Sequence, residues 1–209
     1  MAQKDVGNKI PIYKLKTTNE VMKYYDDWGI ENKYDQDMLD WNYTGPKETV
    51  ATFIKYAKDK NIKILDAGCG TGLVGVELKK YNYLNIDGMD LSKKLLDLIP
   101  KGYYQNLDQV DLNKKIKKNN DTYDAVMCVG TFTYGHVKPH ALDEFIRISK
   151  NKSLICFTIN EGIYEEYGFD KKINELNKNK SWNILEFFKS DYILSKDVNA
   201  WLCLAEVIK

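Results

Sequence analysis

The chain has 209 residues, of which 44% are hydrophobic and 29% charged, the make-up of a globular chain able to bury a core without disulfides or metals. Its 31 basic and 30 acidic side chains leave a net charge of +1, and the basic set holds a single arginine, Arg147, so the electrostatic footprint of a nucleic-acid or membrane-surface binder is missing. No apolar run approaches the roughly 20 residues of a membrane span, and the opening MAQKDVGNKIPIYK lacks the apolar centre of a secretory signal.

Residues 1–16 show no period and read as a loose arm. Over 18–40 helical signals appear. Thr18 or Asn19 can cap, Glu20 sits in the first turn, and Val21, Tyr24, Tyr25 and Trp28 share one side. Gly29 interrupts this run, and a second short helix follows over 31–40. After a turn at 42–46, a helix is predicted from Pro46 to about Lys60, with Val50, Phe53, Ile54 and Ala57 as its inner stripe.

The pattern then changes. IKILDAGCGTG is a short buried strand running into a glycine loop, and LVGVELKK is a helix. LNIDGMDLS (strand), KKLLDLIPK (helix), YYQNLDQVDL (strand), YDAVMCVGTF (strand), PHALDEFIRISK (helix) and KSLICFTIN (strand) follow. This alternation predicts an open, mostly parallel α/β sheet with helices on both faces. SWNILEFFKSDYIL and AWLCLAEVIK lack room for a crossover helix between them, so they pair as an antiparallel β-hairpin on the sheet edge. Cys69, Cys128, Cys156 and Cys203 include no CxxC pair and no zinc-type cluster, so no metal is expected. They read as buried thiols of a reducing, cytoplasmic compartment.

Gly68, Gly70 and Gly72 directly follow the first strand. Small residues there let backbone N–H groups approach a ligand, and the next helix adds its N-terminal dipole. A literal GxGxxG also runs over Gly70, Gly72 and Gly75, with Asp90 twenty residues past Gly70, so spacing alone admits a dinucleotide fold. Against that, the pattern counted from Gly68 is GxGxG, with Leu73 where a third Rossmann glycine would stand. Asp66 also puts a carboxylate beside the loop, where it would crowd a pyrophosphate but suit an ammonium.

These segments resemble the motifs of the class I S-adenosylmethionine-dependent methyltransferases: ILDAGCGTG the first, GMDLS the acidic end of the second strand, Asp111–Leu112 the adenine motif, and YDAVMCVGTF the fourth strand. The resemblance covers about 46–209, and the final hairpin matches the family's reversed seventh strand. It implies a Rossmann-like seven-stranded sheet over 46–209, preceded at 1–45 by an arm and a helical lid. A looser resemblance, carried by YYDDWGIENKYDQDMLDWNYTGP, GLVGVELKK and GYYQNL, points to the methyltransferase-like group of the Williams-Beuren region.

The resemblance implies that S-adenosylmethionine is the cofactor and S-adenosylhomocysteine the product. Its methionine part would lie along Gly68, Cys69, Gly70, Gly72 and Leu73, with Asp66 near the ammonium. Asp90 would accept from the ribose hydroxyls, with Leu91 and Ser92 beside it. Asp111 and Leu112 would border the adenine, although Asp111 also reads as a helix cap. Val129 and Gly130 would line the methyl-transfer cleft, although Gly130 also reads as a turn glycine. Trp28, Tyr34 and Tyr43 offer faces to a sulfonium, or else only pack the lid.

The two histidines are His136 and His140. His136 reads as a general base or as a solvent-facing loop residue, Tyr134 is a comparable rim candidate, and His140 belongs to a first helical turn. Asn160 and Glu161 either orient an acceptor or cap a loop. The NPPY-like sequence of exocyclic-amine methyltransferases of nucleic acids is replaced here by CVGTF. A small-molecule acceptor is therefore expected, methylated at O, N or S, with no nucleic-acid or membrane partner. The rival reading is a non-catalytic cofactor-binding partner or regulatory subunit.

Overall fold

The structure is a computed structural model that describes residues 10–15 and 17–209. Two helices lead, α1 (Thr18–Trp28) and α2 (Lys33–Asp40), followed by α3 (Gly45–Phe53). The rest alternates as β1 (Ile64–Ala67), α4 (Leu73–Lys80), β2 (Ile86–Asp90), α5 (Lys93–Leu98), β3 (Asn106–Gln109), β4 (Tyr123–Phe132), α6 (Ala141–Ile148) and β5 (Ser149–Asn160). Helix α7 (Phe169–Lys178) and strands β6 (Trp182–Ile193) and β7 (Val198–Val207) close the chain.

The seven strands lie in the order β3-β2-β1-β4-β5-β7-β6. The first five are mutually parallel, with Ile64 of β1 opposite both Ile86 and Ala125. Strand β7 runs antiparallel to both neighbours, and Cys203 faces Phe157 on one side and Phe187 on the other. This is the mostly parallel sheet with an edge hairpin that the alternation predicts. Covered on both faces, its central strands are mostly apolar, with Asp66 and Asp87 as buried exceptions, and successive residues feed opposite cores. Leu65, Val126 and Phe157 point to one core with α6 and α7. Ile64, Met127 and Cys156 point to the other with α3 and α4. All four cysteines are free and buried. Among the described residues, no helix is long and apolar enough to cross a membrane.

A third apolar cluster ties the N-terminal segment to the end of the hairpin: Ile10, Ile12, Tyr13, Trp28 and Met38 pack with Tyr192, Ile193 and Ala200. Tyr43 bridges Ile193, and the Thr44 N–H donates to the Tyr192 carbonyl at 3.0 Å. This corrects the expectation of a loose arm for the part of 1–16 that is described. Pro11–Lys14 forms a 3-10 turn because its apolar side chains fill the gap between lid and hairpin. Residues 1–9 and 16 lie outside the described residues.

Other boundaries also move. Thr17, one residue early, caps α1 in a reciprocal pair with Glu20. Helix α3 stops at Phe53 rather than near Lys60. The chain tightens there into 3-10-type bonds, and the Ala57 carbonyl takes the Tyr83 hydroxyl instead of a helical N–H. Helix α7 fills the stretch between β5 and β6. Its Phe169, Ile173 and Leu176 are buried.

Phe132, at the end of β4, sits in the core shared with α6 and α7, with ring centroids 4.8 Å from Phe169, 5.7 Å from Phe157 and 6.1 Å from Phe145. Phe132→Ala is expected to cost about 3–5 kcal/mol, read as a lower midpoint in chemical denaturation. A loss below ~1 kcal/mol would show that these rings do not anchor α6 and α7.

Candidate functional site

The sheet order reverses between β1 and β4, so the loops after β1 and β4 diverge and leave a crevice at the carboxyl ends of the strands. The glycine loop lines it. Gly68 and Cys69 both donate to the Met89 carbonyl, at 2.7 and 3.0 Å, which folds the loop back over β2. Gly68 has φ +79°, and a Cβ there would collide with Thr131, so only glycine fits. Gly70 has no atom within 4 Å of where a Cβ would stand; its backbone faces the open crevice. Asp90, at the end of β2, fixes both walls, accepting from Gly70 N–H and Ser92 N–H at 2.8 Å each. Burial raises Asp90, and these backbone bonds oppose the shift.

Asp66 does not reach the crevice. It is fully buried beneath the loop, where Oδ2 accepts from Tyr104 Oη at 2.6 Å and Oδ1 has no hydrogen-bond partner. Tyr104 Oη in turn accepts from Gly75 N–H at 3.1 Å, so the carboxyl steadies the first turn of α4. Burial pushes Asp66 up to about 7, opposed by the Tyr104 bond and reinforced by Asp90.

The crevice has a volume of about 700 Å³. Among the sequence-predicted residues it gathers Tyr34, Gly68, Gly70, Asp90, Leu91, Ser92, Asp111, Leu112, Val129, Gly130 and His136. Cys69, Leu73 and Tyr43 line a smaller recess of about 280 Å³ beside the glycine loop. Gly72 sits at the N-terminus of α4 with φ +92°, packed toward Tyr104. Trp28 packs against Tyr24 and Tyr34 and donates from Nε1 to Asp37 at 2.6 Å. Its ring faces a second cavity of about 380 Å³. Gly130 has φ +81°, and a Cβ there would come within 2.7 Å of Tyr43 Oη, so the close approach of that tyrosine requires glycine.

Asp111 accepts from Asn113 N–H at 3.0 Å in a turn that no helix follows, so the helix-cap alternative does not hold. His136 is no solvent-facing loop residue: it is half-buried in the crevice wall. Its Nδ1 meets the Tyr134 carbonyl and its Nε2 lies 3.0 Å from Tyr25 Oη. Burial lowers it to about 4. Tyr134 lines neither cavity; it packs on Tyr13 and Tyr167. His140 stands at the N-cap of α6. Asn160 accepts from Gly162 N–H, and Glu161 pairs with Lys189 and Asn199, which are loop-capping contacts.

Several crevice residues escaped the sequence reading. Helix α1 lays Val21, Met22 and Tyr25 over the opening. Two lid carboxylates reach the loops below, Asp26 to Ser92 Oγ and Asp35 to Thr71 Oγ1, both at 2.5 Å. The heptapeptide spacing of Thr18, Val21, Met22 and Tyr25 on one helical face was a signal available in the sequence.

A family profile described as "Methyltransferase domain" matches residues 64–152. Human methyltransferase-like protein 27 is 32% identical over 141 residues, covering 66% of this chain and 56% of that protein. These matches support a class I S-adenosylmethionine-dependent methyltransferase. The chain spans just over half the length of that human relative. Among solved structures, magnesium protoporphyrin IX methyltransferase from Synechocystis, with bound S-adenosylmethionine, superposes with a TM-score of 0.66 at 14% identity, covering 90% of this chain and 96% of that one. The cyclase SpnF superposes with a TM-score of 0.66 at 12% identity, covering 93% and 97%. Such distant likenesses establish the fold alone.

The cofactor of this methyltransferase family, S-adenosylmethionine, suits the residues present. Gly70 leaves open space, each Asp90 oxygen keeps a lone pair beyond its backbone bond, and Asp111 adds a second carboxylate to a crevice that would take a cationic ligand. The Asp66 shift carries a pH signature. The folded protein keeps the Asp66 proton over a range where the unfolded chain has lost it, so that stabilisation is complete below the ordinary carboxylate range and lost as pH rises through about 7. Asp66→Asn keeps the shape without the titration. The melting temperature of the parent protein relative to Asp66→Asn is expected to fall between about pH 4 and 7, the interval set by the shift. A difference constant across that range would sink the assignment.

Proposed function

We propose that this protein transfers the methyl group of S-adenosylmethionine to a small-molecule acceptor. The observation that carries this reading is the double anchoring of Asp90 to Gly70 and Ser92 at the floor of a lidded crevice. The ribose hydroxyls donate to the remaining Asp90 lone pairs, Leu91 and Leu112 flank the adenine with Asp111, and the loop from Gly68 to Leu73 follows the methionine part. The cofactor supplies a methyl group on positively charged sulfur, with a neutral thioether as leaving group. The protein is then left to place the acceptor in line and exclude water, and placement can contribute ~7–11 kcal/mol.

Val129 and Gly130, at the end of β4, form the floor where the methyl group crosses, and Tyr34 presents its ring above the glycine loop. Helices α1 and α2 act as the lid, latched through Asp26 and Asp35. A small acceptor is supported by the near-zero net charge and by the aromatic lining of the second cavity. The four free thiols accord with a reducing compartment such as the cytoplasm.

Calorimetric titration with S-adenosylhomocysteine is the direct test. Micromolar binding is expected. Asp90→Ala removes charge-assisted bonds worth about 1.5–3 kcal/mol each and should weaken binding ~100-fold or more. Unchanged affinity in that variant would overturn the site. In stopped-flow release experiments, the Asp26→Ala, Asp35→Ala double variant should free S-adenosylhomocysteine faster than the parent protein, and an unaltered release rate would remove the latch from the account.

A further inference from the structure

The second cavity opens onto the cofactor crevice, and the two share Tyr25, Tyr34 and Gly130 as lining. Trp28, Tyr34 and Met38 of the lid and Gly130 of β4 line it. Among the described residues that line it, seven of thirteen are tyrosine or tryptophan and none is charged. Burial raises the hydroxyls of Tyr13, Tyr25, Tyr34, Tyr43 and Tyr192, so all five stay protonated at neutral pH. An ammonium or carboxylate ligand would meet no counter-ion here, whereas a flat neutral ring would meet aromatic faces and hydroxyl donors.

One polar pair stands where the cavities join. A backbone carbonyl can only accept, so His136 Nδ1, held against the Tyr134 carbonyl, carries the ring hydrogen. Nε2 is therefore the bare nitrogen and accepts from the Tyr25 hydroxyl at 3.0 Å. The remaining lone pair of Tyr25 Oη can take a proton from a group in the cavity.

Resting on the methyltransferase reading above, we infer that the aromatic cavity holds an uncharged, planar acceptor with a hydroxyl on an aromatic ring, and that Tyr25 passes its proton to His136. As the acceptor O–H bond breaks and O–CH3 forms, the S–CH3 electron pair returns to sulfur. The acceptor proton moves to Tyr25 Oη, and the Tyr25 proton moves to His136 Nε2. Positive charge leaves sulfur as it arrives on the imidazole, so the enclosed site keeps a constant total charge. The buried imidazolium is a strong acid and yields its proton to water once the product departs. Tyr25 is the catalytic residue in this scheme, and His136 is the group that accepts through it.

The test pairs two neutral, two-ring probes. 2-Naphthol must lose a proton when methylated; isoquinoline has none to lose. Calorimetry comes first, on the full chain saturated with S-adenosylhomocysteine. Absence of S-adenosylhomocysteine binding would defeat the methyltransferase reading itself. A protein that binds S-adenosylhomocysteine but neither probe would overturn the acceptor class alone. Turnover with methyl-labelled S-adenosylmethionine follows. The parent protein is expected to methylate both probes. Tyr25→Phe and His136→Gln are each expected to lower kcat for 2-naphthol at least tenfold with KM within about threefold, while kcat for isoquinoline falls no more than about threefold. Equal losses on both probes would mean that Tyr25 only shapes the cavity. No loss on 2-naphthol, or 2-naphthol bound by the parent protein without O-methylation, would overturn the relay.

Discussion

The site depends on one carboxylate. Asp90 ends β2 and grips the N–H groups of Gly70 and Ser92, so one side chain sets the spacing of two loops that leave neighbouring strands. The sheet makes this possible, because β1 has β2 on one side and β4 on the other and its loop crosses toward the first as the β4 loop departs the other way. Remove the carboxylate and Gly70, which nothing else crowds, has no fixed distance from Ser92. Asp66 works one layer lower. It fixes α4 through Tyr104 and Gly75 rather than meeting a ligand.

The lid divides its work by polarity. Toward the cofactor crevice it offers carboxylates that reach hydroxyls on the loops beneath, Asp26 to Ser92 and Asp35 to Thr71. Toward the hairpin it offers rings, with Trp28 against both Tyr34 and Trp41 and Tyr43 set edge-on to Tyr192. The polar seam rests on two part-buried hydrogen bonds. The apolar seam buries Ile12, Tyr13 and Met38.

The architecture was legible because it rests on local periodicity. Buried parallel strands are mostly apolar, so ILDA and YDAVMCVGTF announce themselves, and two β-rich runs with no crossover helix between them leave only a hairpin. The glycine loop, Asp90 and the β4 end were legible as a motif for the same reason: their spacing is fixed along the chain. What the sequence concealed are long-range pairings. Nothing near Asp66 says that Tyr104, 38 residues on, will take its carboxyl. Nothing in TYGHVKP says that His136 will turn inward to Tyr25, 111 residues away. Boundaries failed where tertiary contacts override propensity, as where the Tyr83 hydroxyl claims the Ala57 carbonyl and stops α3, or where Ile10 and Ile12 find cover against the hairpin.

The four unpaired sulfurs are spread through the molecule in a way that gives it an internal clock. Cys69 lies in the glycine loop, Cys128 in the central strand β4, and Cys156 and Cys203 in the adjoining strands β5 and β7. A thiol-modifying reagent reaches a buried sulfur only during an opening that uncovers it, and openings range from local fraying to complete unfolding. Alkylation of Cys69 therefore counts excursions of the loop, while alkylation of Cys156 and Cys203 counts separations of the sheet itself. The order in which the masses appear is a map of which parts of this protein breathe alone and which breathe only together.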